Sequence, residues 1–144
     1  MKKKKSDRSL LLVARNDIKW AKLMIKDPDE ISVNKTMFHI SQAAEKMCKF
    51  LCSCYDIDYE YSHYVKTLLA KLENKQVVLP QLVVDSADMY GTWATQSRYA
   101  SDQMAIRSTV QKHLDCVEEW LMKIEKDFGF DQLQPSNVFG KKRE

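Results

Sequence analysis

From residue 37 to residue 55, apolar side chains recur at spacings of three and four. Met37, Ile40, Ala44, Met47, Leu51 and Tyr55 therefore line one face of a helix. Ala43 and Ala44 leave room for a neighbouring helix to approach closely. Gln42, Glu45, Lys46 and Lys49 fall on other sides of the same cylinder. A second stripe of the same kind runs through Val110, Leu114, Val117, Leu121, Ile124 and Phe128. A chain that repeats this period can bury its apolar residues only by packing helix against helix.

The rest of the chain extends the pattern. Only three glycines and three prolines interrupt 144 residues, which favours long helices over a sheet with many turns. Five helices are predicted. The first covers about 7–26, with Leu11, Ala14, Ile18, Ala21 and Ile25 on one stripe, Ser6 or Asp7 as cap and Asp27-Pro28 as stop. The second covers about 34–54. The third covers 62–73, with Ser62 as cap and Val65, Leu68, Leu69 and Leu72 apolar. The fourth begins near Pro80 and carries Leu82, Val83, Met89, Tyr90 and Trp93, with Gly91 as the expected bend or end. The fifth covers about 101–128, capped by Ser101 or Asp102 and closed by Gly129. Short connections between amphipathic helices imply an all-α, five-helix up-and-down bundle. The expected organisation is a basic tail over 1–6, one helical domain over 7–128 and a polar tail over 129–144.

With 44% apolar and 30% charged residues, the composition is that of an ordinary globular domain. No apolar run approaches the roughly 20 residues that cross a bilayer. The four N-terminal lysines precede no apolar export segment, since Arg15, Asp17 and Lys19 follow Leu10–Val13 closely. The expected setting is therefore cytoplasmic, with no membrane partner. The net charge of +3 sits mainly at the ends, in Lys2–Lys5 and Lys141–Arg143, and reads as solvated tails. Cys48, Cys52, Cys54 and Cys116 match no zinc spacing, so small buried thiols are expected, with no metal and no cofactor. Phosphate-loop, nucleophile-elbow and His-Glu-x-x-His patterns are missing.

The one candidate for chemistry read from spacing lies on the fifth segment. Arg107 and His113 stand about 120° apart around the helix, flanking the arc that holds Val110, Leu114, Val117, Leu121 and Ile124. A histidine there can move protons near neutral pH, and an arginine can hold a phosphate through two parallel bonds. Elsewhere, Glu45 and Lys49 form a favourable i,i+4 pair. Asp17 is expected to pair with Lys46 or Arg98. The long apolar stripe of the fifth segment is also the expected packing face of a homodimer.

The run His39-x-x-Gln42-Ala43-Ala44-Glu45-Lys46-x-x-Lys49 resembles the second helix of the HEPN family, the higher-eukaryote and prokaryote nucleotide-binding domain. The resemblance extends from about Leu10 to Lys126. It implies a five-helix bundle that dimerises, often beside a nucleotidyltransferase partner. Catalytic members carry Arg-x4–6-His in a late helix and cut RNA without metal across a dimer cleft, which implies catalytic roles for Arg107 and His113. An Arg-Tyr pair before the final helix matches Arg98-Tyr99. With Ser108, these residues are the implied RNA or nucleotide contacts. His63 matches a frequent family histidine, expected to cap or pack, and Arg15-Asn16-Asp17 has the polar pattern of the opening helix. Two departures stand out: Ser108 follows the arginine where Asn, Asp or His is usual, and Asp115 stands where many toxin members have tyrosine. Three functions are consistent with these residues. One is an RNA- or nucleotide-binding domain, with the ribonuclease toxin of a toxin–antitoxin or defence pair as its catalytic form. The others are a non-catalytic nucleotidyltransferase partner and a plain helical dimerisation module.

Overall fold

The computed structural model describes residues 5–59, 62–96 and 106–129. Six helices are present among them: α1 (Lys5–Met24), α2 (Glu30–Cys54), α3 (Val65–Asn74), α4 (Gln81–Asp85), α5 (Ala87–Gln96) and α6 (Arg107–Asp127). The described residues form no strand, as the apolar periodicity requires. The count differs from the expected five because the fourth segment divides at Ser86, not at Gly91. Ser86 caps α4, its N–H bonding the carbonyls of Leu82, Val83 and Val84, and its own carbonyl accepts from Tyr90 N–H. Gly91 lies inside α5 and so does not end the helix; a Cβ there would meet nothing within 4 Å.

The α1–α2 hairpin is organised by three acidic or hydroxyl side chains around Pro28. Asp29 caps α2, its side chain accepting from Ile31 N–H at 3.0 Å. Asp27 in turn accepts from Asp29 N–H at 3.1 Å and from the Ser32 hydroxyl at 2.9 Å. This cap starts α2 at Glu30, four residues earlier than the stripe alone suggests. At the other ends the expected caps are displaced. Ser6 and Asp7 lie within α1, and Tyr64, not Ser62, stands at the N-cap of α3. Helix α6 opens at Arg107, while Ser101 and Asp102 lie outside the described residues.

Helix α2 is the central element and packs against α1, α3, α5 and α6. Its face carries Ile40, Ala43, Ala44, Met47, Cys48 and Phe50, all without solvent exposure. Three hydroxyls share that buried helix and are satisfied within it. Thr36 donates to Ser32 O at 2.8 Å, Ser41 to Phe38 O at 2.7 Å and Ser53 to Phe50 O at 2.6 Å. Past the ends of α2, α3 and α6, Asp56 (φ 60°), Gln76 (φ 61°) and Gly129 (φ 76°) enter the left-handed region.

Helix α6 lies alongside α1 and runs antiparallel to it. Arg15 pairs with Glu125, and Lys22 with Glu118 at 2.7 Å, so the order of partners is reversed along the two helices. The stripe Val110, Leu114, Val117, Leu121 and Ile124 is buried within this chain. It therefore does not serve as the face for a second copy, contrary to the expectation from its length. No helix of the described residues is long and apolar enough to cross a membrane.

Candidate functional site

Helix α6 delivers Arg107 and His113 to different neighbours. Arg107 occupies its first turn, and its guanidinium donates to the carbonyl of Ile25 at the end of α1. His113 lies six residues further along, roughly 9 Å at 1.5 Å per residue, and faces α5. Its ring is buried, at 4% exposure. Nδ1 is 2.8 Å from the Tyr90 hydroxyl, and the edges of Tyr90 and Trp93 close on the ring with centroids 5.5 Å away. Burial, with a smaller contribution from Lys112, holds the imidazole below its ordinary pKa. Burial also pushes the Tyr90 phenol far above its ordinary range. A neutral phenol donating to an unprotonated Nδ1 satisfies both shifts and leaves the imidazole proton on Nε2. Tyr90 and Trp93 were read from the sequence only as parts of an apolar stripe. Their i,i+3 spacing places them on one face of α5, but nothing local marks His113 as their target.

Among the described residues, no side chain caps the N-terminal end of α6. Ile106 is its N-cap and supplies no side-chain hydrogen bond, since an isoleucine carries no acceptor. Ser108 is exposed in the first turn, and Arg107 is half-buried beside it. Asp27, in the α1–α2 connection, is close enough for Arg107 to help lower its pKa, behind the larger contributions of the Asp29 N–H and the Ser32 hydroxyl. Arg98 and Tyr99 lie outside the described residues.

The family-like run on α2 builds a line of polar contacts along one flank. His39 Nδ1 is 2.9 Å from Asp17 of α1, both groups being largely buried. Asp17 thus pairs with His39, not with Lys46, whose Nζ instead donates to Gln42 at 3.3 Å. Glu45 accepts from Lys49 at 2.9 Å, and these side chains retain 9% and 11% of their exposure. His63, 70% exposed, approaches the same carboxylate at 3.5 Å. It neither caps α3 nor packs in the core. Periodicity places Asp17 and His39 on their helices; the pairing needs the hairpin angle, which no local signal encodes. Among the described residues, no group of three or more His, Cys, Asp and Glu side chains has the arrangement to hold a metal. Burial raises the thiol of Cys52 to about 11 and lifts Cys48 well above its ordinary value.

A family model described as HEPN domain matches residues 8–127, and the chain belongs to the HEPN domain family. That membership places it in a superfamily of nucleotide-related and ribonuclease-type domains. No curated protein and no solved structure matches the chain.

Proposed function

We propose that this protein is a non-catalytic HEPN domain that binds the phosphate groups of RNA or nucleotide at the N-terminal end of α6. One observation carries the reading: among the described residues that end has no side-chain cap and presents exposed Ser108 beside Arg107, while His113 is buried against α5. Uncapped N–H groups and the positive end of the helix dipole suit an anion. Arg98 and Tyr99, a few residues upstream in sequence, add a phosphate contact and a ring on which a base can stack. A histidine held neutral and hydrogen-bonded to a buried phenol is poorly placed to exchange protons with a substrate.

The second reading is a metal-independent endoribonuclease acting across a dimer cleft, with His113 as general acid or base and Arg107 on the phosphate. It is favoured by their shared helix and by the five residues between them, as in catalytic members of the family. Binding and cleavage separate the two. A fluorescent single-stranded RNA and AMP are titrated into the native chain and into Ser108→Glu and His113→Ala, and the same RNA is analysed on a gel with EDTA present. The first reading expects binding that Ser108→Glu weakens at least about tenfold, unchanged affinity per folded His113→Ala molecule and no cleavage. EDTA-resistant cleavage that His113→Ala abolishes establishes the second. Absence of binding to either ligand leaves the non-catalytic partner of a nucleotidyltransferase.

A further inference from the structure

A groove of about 740 Å³ lies between the C-terminal ends of α2 and α6 and the connection from α3 to α4. Leu51, Trp120 and Ile124 form its apolar floor, each at most 5% exposed. Tyr55 (41% exposed) and Val78 (84%) leave apolar surface open at its rim. Small-molecule sites occupy roughly 300–1,000 Å³ and join an apolar lining to a few polar groups, so both size and lining fit. The groove begins at Cys116, roughly 14 Å along α6 from Arg107, and is separate from the phosphate end of that helix.

The charge left over at this groove is negative. Glu119, Lys123 and Asp127 line it from successive turns of α6. Lys123 is committed to Asp127 at 3.0 Å, whereas Glu119 has no partner among the described residues. Burial, with a smaller contribution from Glu119, raises the Cys116 thiol above its ordinary pKa, so the carboxylate and the thiol are neighbours. On the α3–α4 connection, the carbonyls of Gln76, Val77, Val78 and Leu79 accept no hydrogen bond among the described residues. A free carboxylate and free carbonyls repel a phosphate and suit a cation that carries N–H donors. The lining also holds the aromatic rings of Tyr55, Trp120 and Phe128, and a ring that bears positive charge gains from stacking and from cation–π attraction together.

We propose that this groove binds a flat aromatic cation, an amine or amidine whose ring lies on the apolar floor and whose charged nitrogen meets Glu119. The site is independent of the phosphate reading, because it uses the opposite end of α6 and the opposite charge.

The test uses the full chain and two fluorescent probes, the flat cation proflavine and the aromatic anion anilinonaphthalene sulfonate. Proflavine should saturate one site per chain with a Kd below about 100 μM. Glu119→Gln, an exposed substitution that keeps the helical circular dichroism, should weaken it about fivefold, the upper end for one partly exposed ion pair. The anion should bind more weakly than the cation. Bound proflavine should slow alkylation of Cys116 by iodoacetamide and leave that of Cys54, which is partly exposed outside the groove, unchanged. AMP should not displace proflavine. Absence of saturable proflavine binding overturns the proposal, as does a Kd that Glu119→Gln leaves unchanged. So does tighter binding of the anion, or a Cys116 alkylation rate that proflavine slows no more than that of Cys54. Displacement by AMP puts both ligands in one site and overturns it too. A sedimentation mass of two chains that proflavine reduces to one assigns the groove to a second copy instead.

Discussion

Replacing Tyr90 by phenylalanine removes one oxygen from the centre of the molecule and nothing else. The ring contacts with His113 and Trp93, each at 5.5 Å, are kept. The 2.8 Å bond to His113 is lost, and an imidazole nitrogen is left buried without its donor. A neutral hydrogen bond contributes about 1 kcal/mol net, and an orphaned buried acceptor raises the loss, so about 2 kcal/mol is expected. For a domain of this length that lowers the melting temperature by roughly 6–10 °C. The loss should also depend on pH. His113 is depressed in the folded state, so the unfolded chain binds its proton first. Native stability is full above the unfolded value of about 6.5 and falls as pH drops from there towards the folded value. Removing the phenol withdraws support from the neutral ring, moves the folded value back up and flattens that fall. Urea denaturation at pH 8 and pH 5 should therefore show the larger difference between native and Tyr90→Phe chains at pH 8. A loss below about 0.5 kcal/mol at pH 8, or the same loss at both pH values, refutes the assignment of the bond and of the neutral histidine.

Two further substitutions probe the α2 flank and the hairpin. Glu45→Gln leaves the nearly enclosed Lys49 without its carboxylate and should cost about 2 kcal/mol in chemical denaturation, reduced from a fully buried pair because His63 lies at an open rim; Glu45→Met with Lys49→Met should recover most of it. Asp29→Ala removes the α2 cap and should cost about 1 kcal/mol, read as a lower urea midpoint with an unchanged slope.

Periodicity carried most of the fold. The stripes through Leu11–Ile25, Met37–Leu51, Val65–Leu72 and Val110–Ile124 are the buried faces of α1, α2, α3 and α6, because the 3.6-residue period is a local property of the chain. The ends were harder to read. Asp56 and Gln76 occupy a left-handed conformation that glycine usually marks, and Ser86 divides α4 from α5 with no proline or glycine beside it. The α2 start was hidden because its first turn, Glu30 to Ser32, adds no residue to the buried stripe, which begins at Val33. At the candidate site, sequence placed Arg107 and His113 on one helix. What each touches depends on α1 and α5, which approach α6 from different sides. The environment of His113 is therefore a tertiary fact. The same holds for Asp17, whose partner is fixed by how α1 lies against α2.

The hydroxyls of Thr36, Ser41 and Ser53 spend their hydrogen bonds on carbonyls three or four residues back along α2. The central helix thus makes no demand through them for a matching polar atom on the helices that surround it. Wherever it faces α3 or α5 through these positions, shape and volume are the only conditions a substitution must meet. The neighbours can therefore exchange one aliphatic side chain for another without leaving any of these three hydroxyls unpaired.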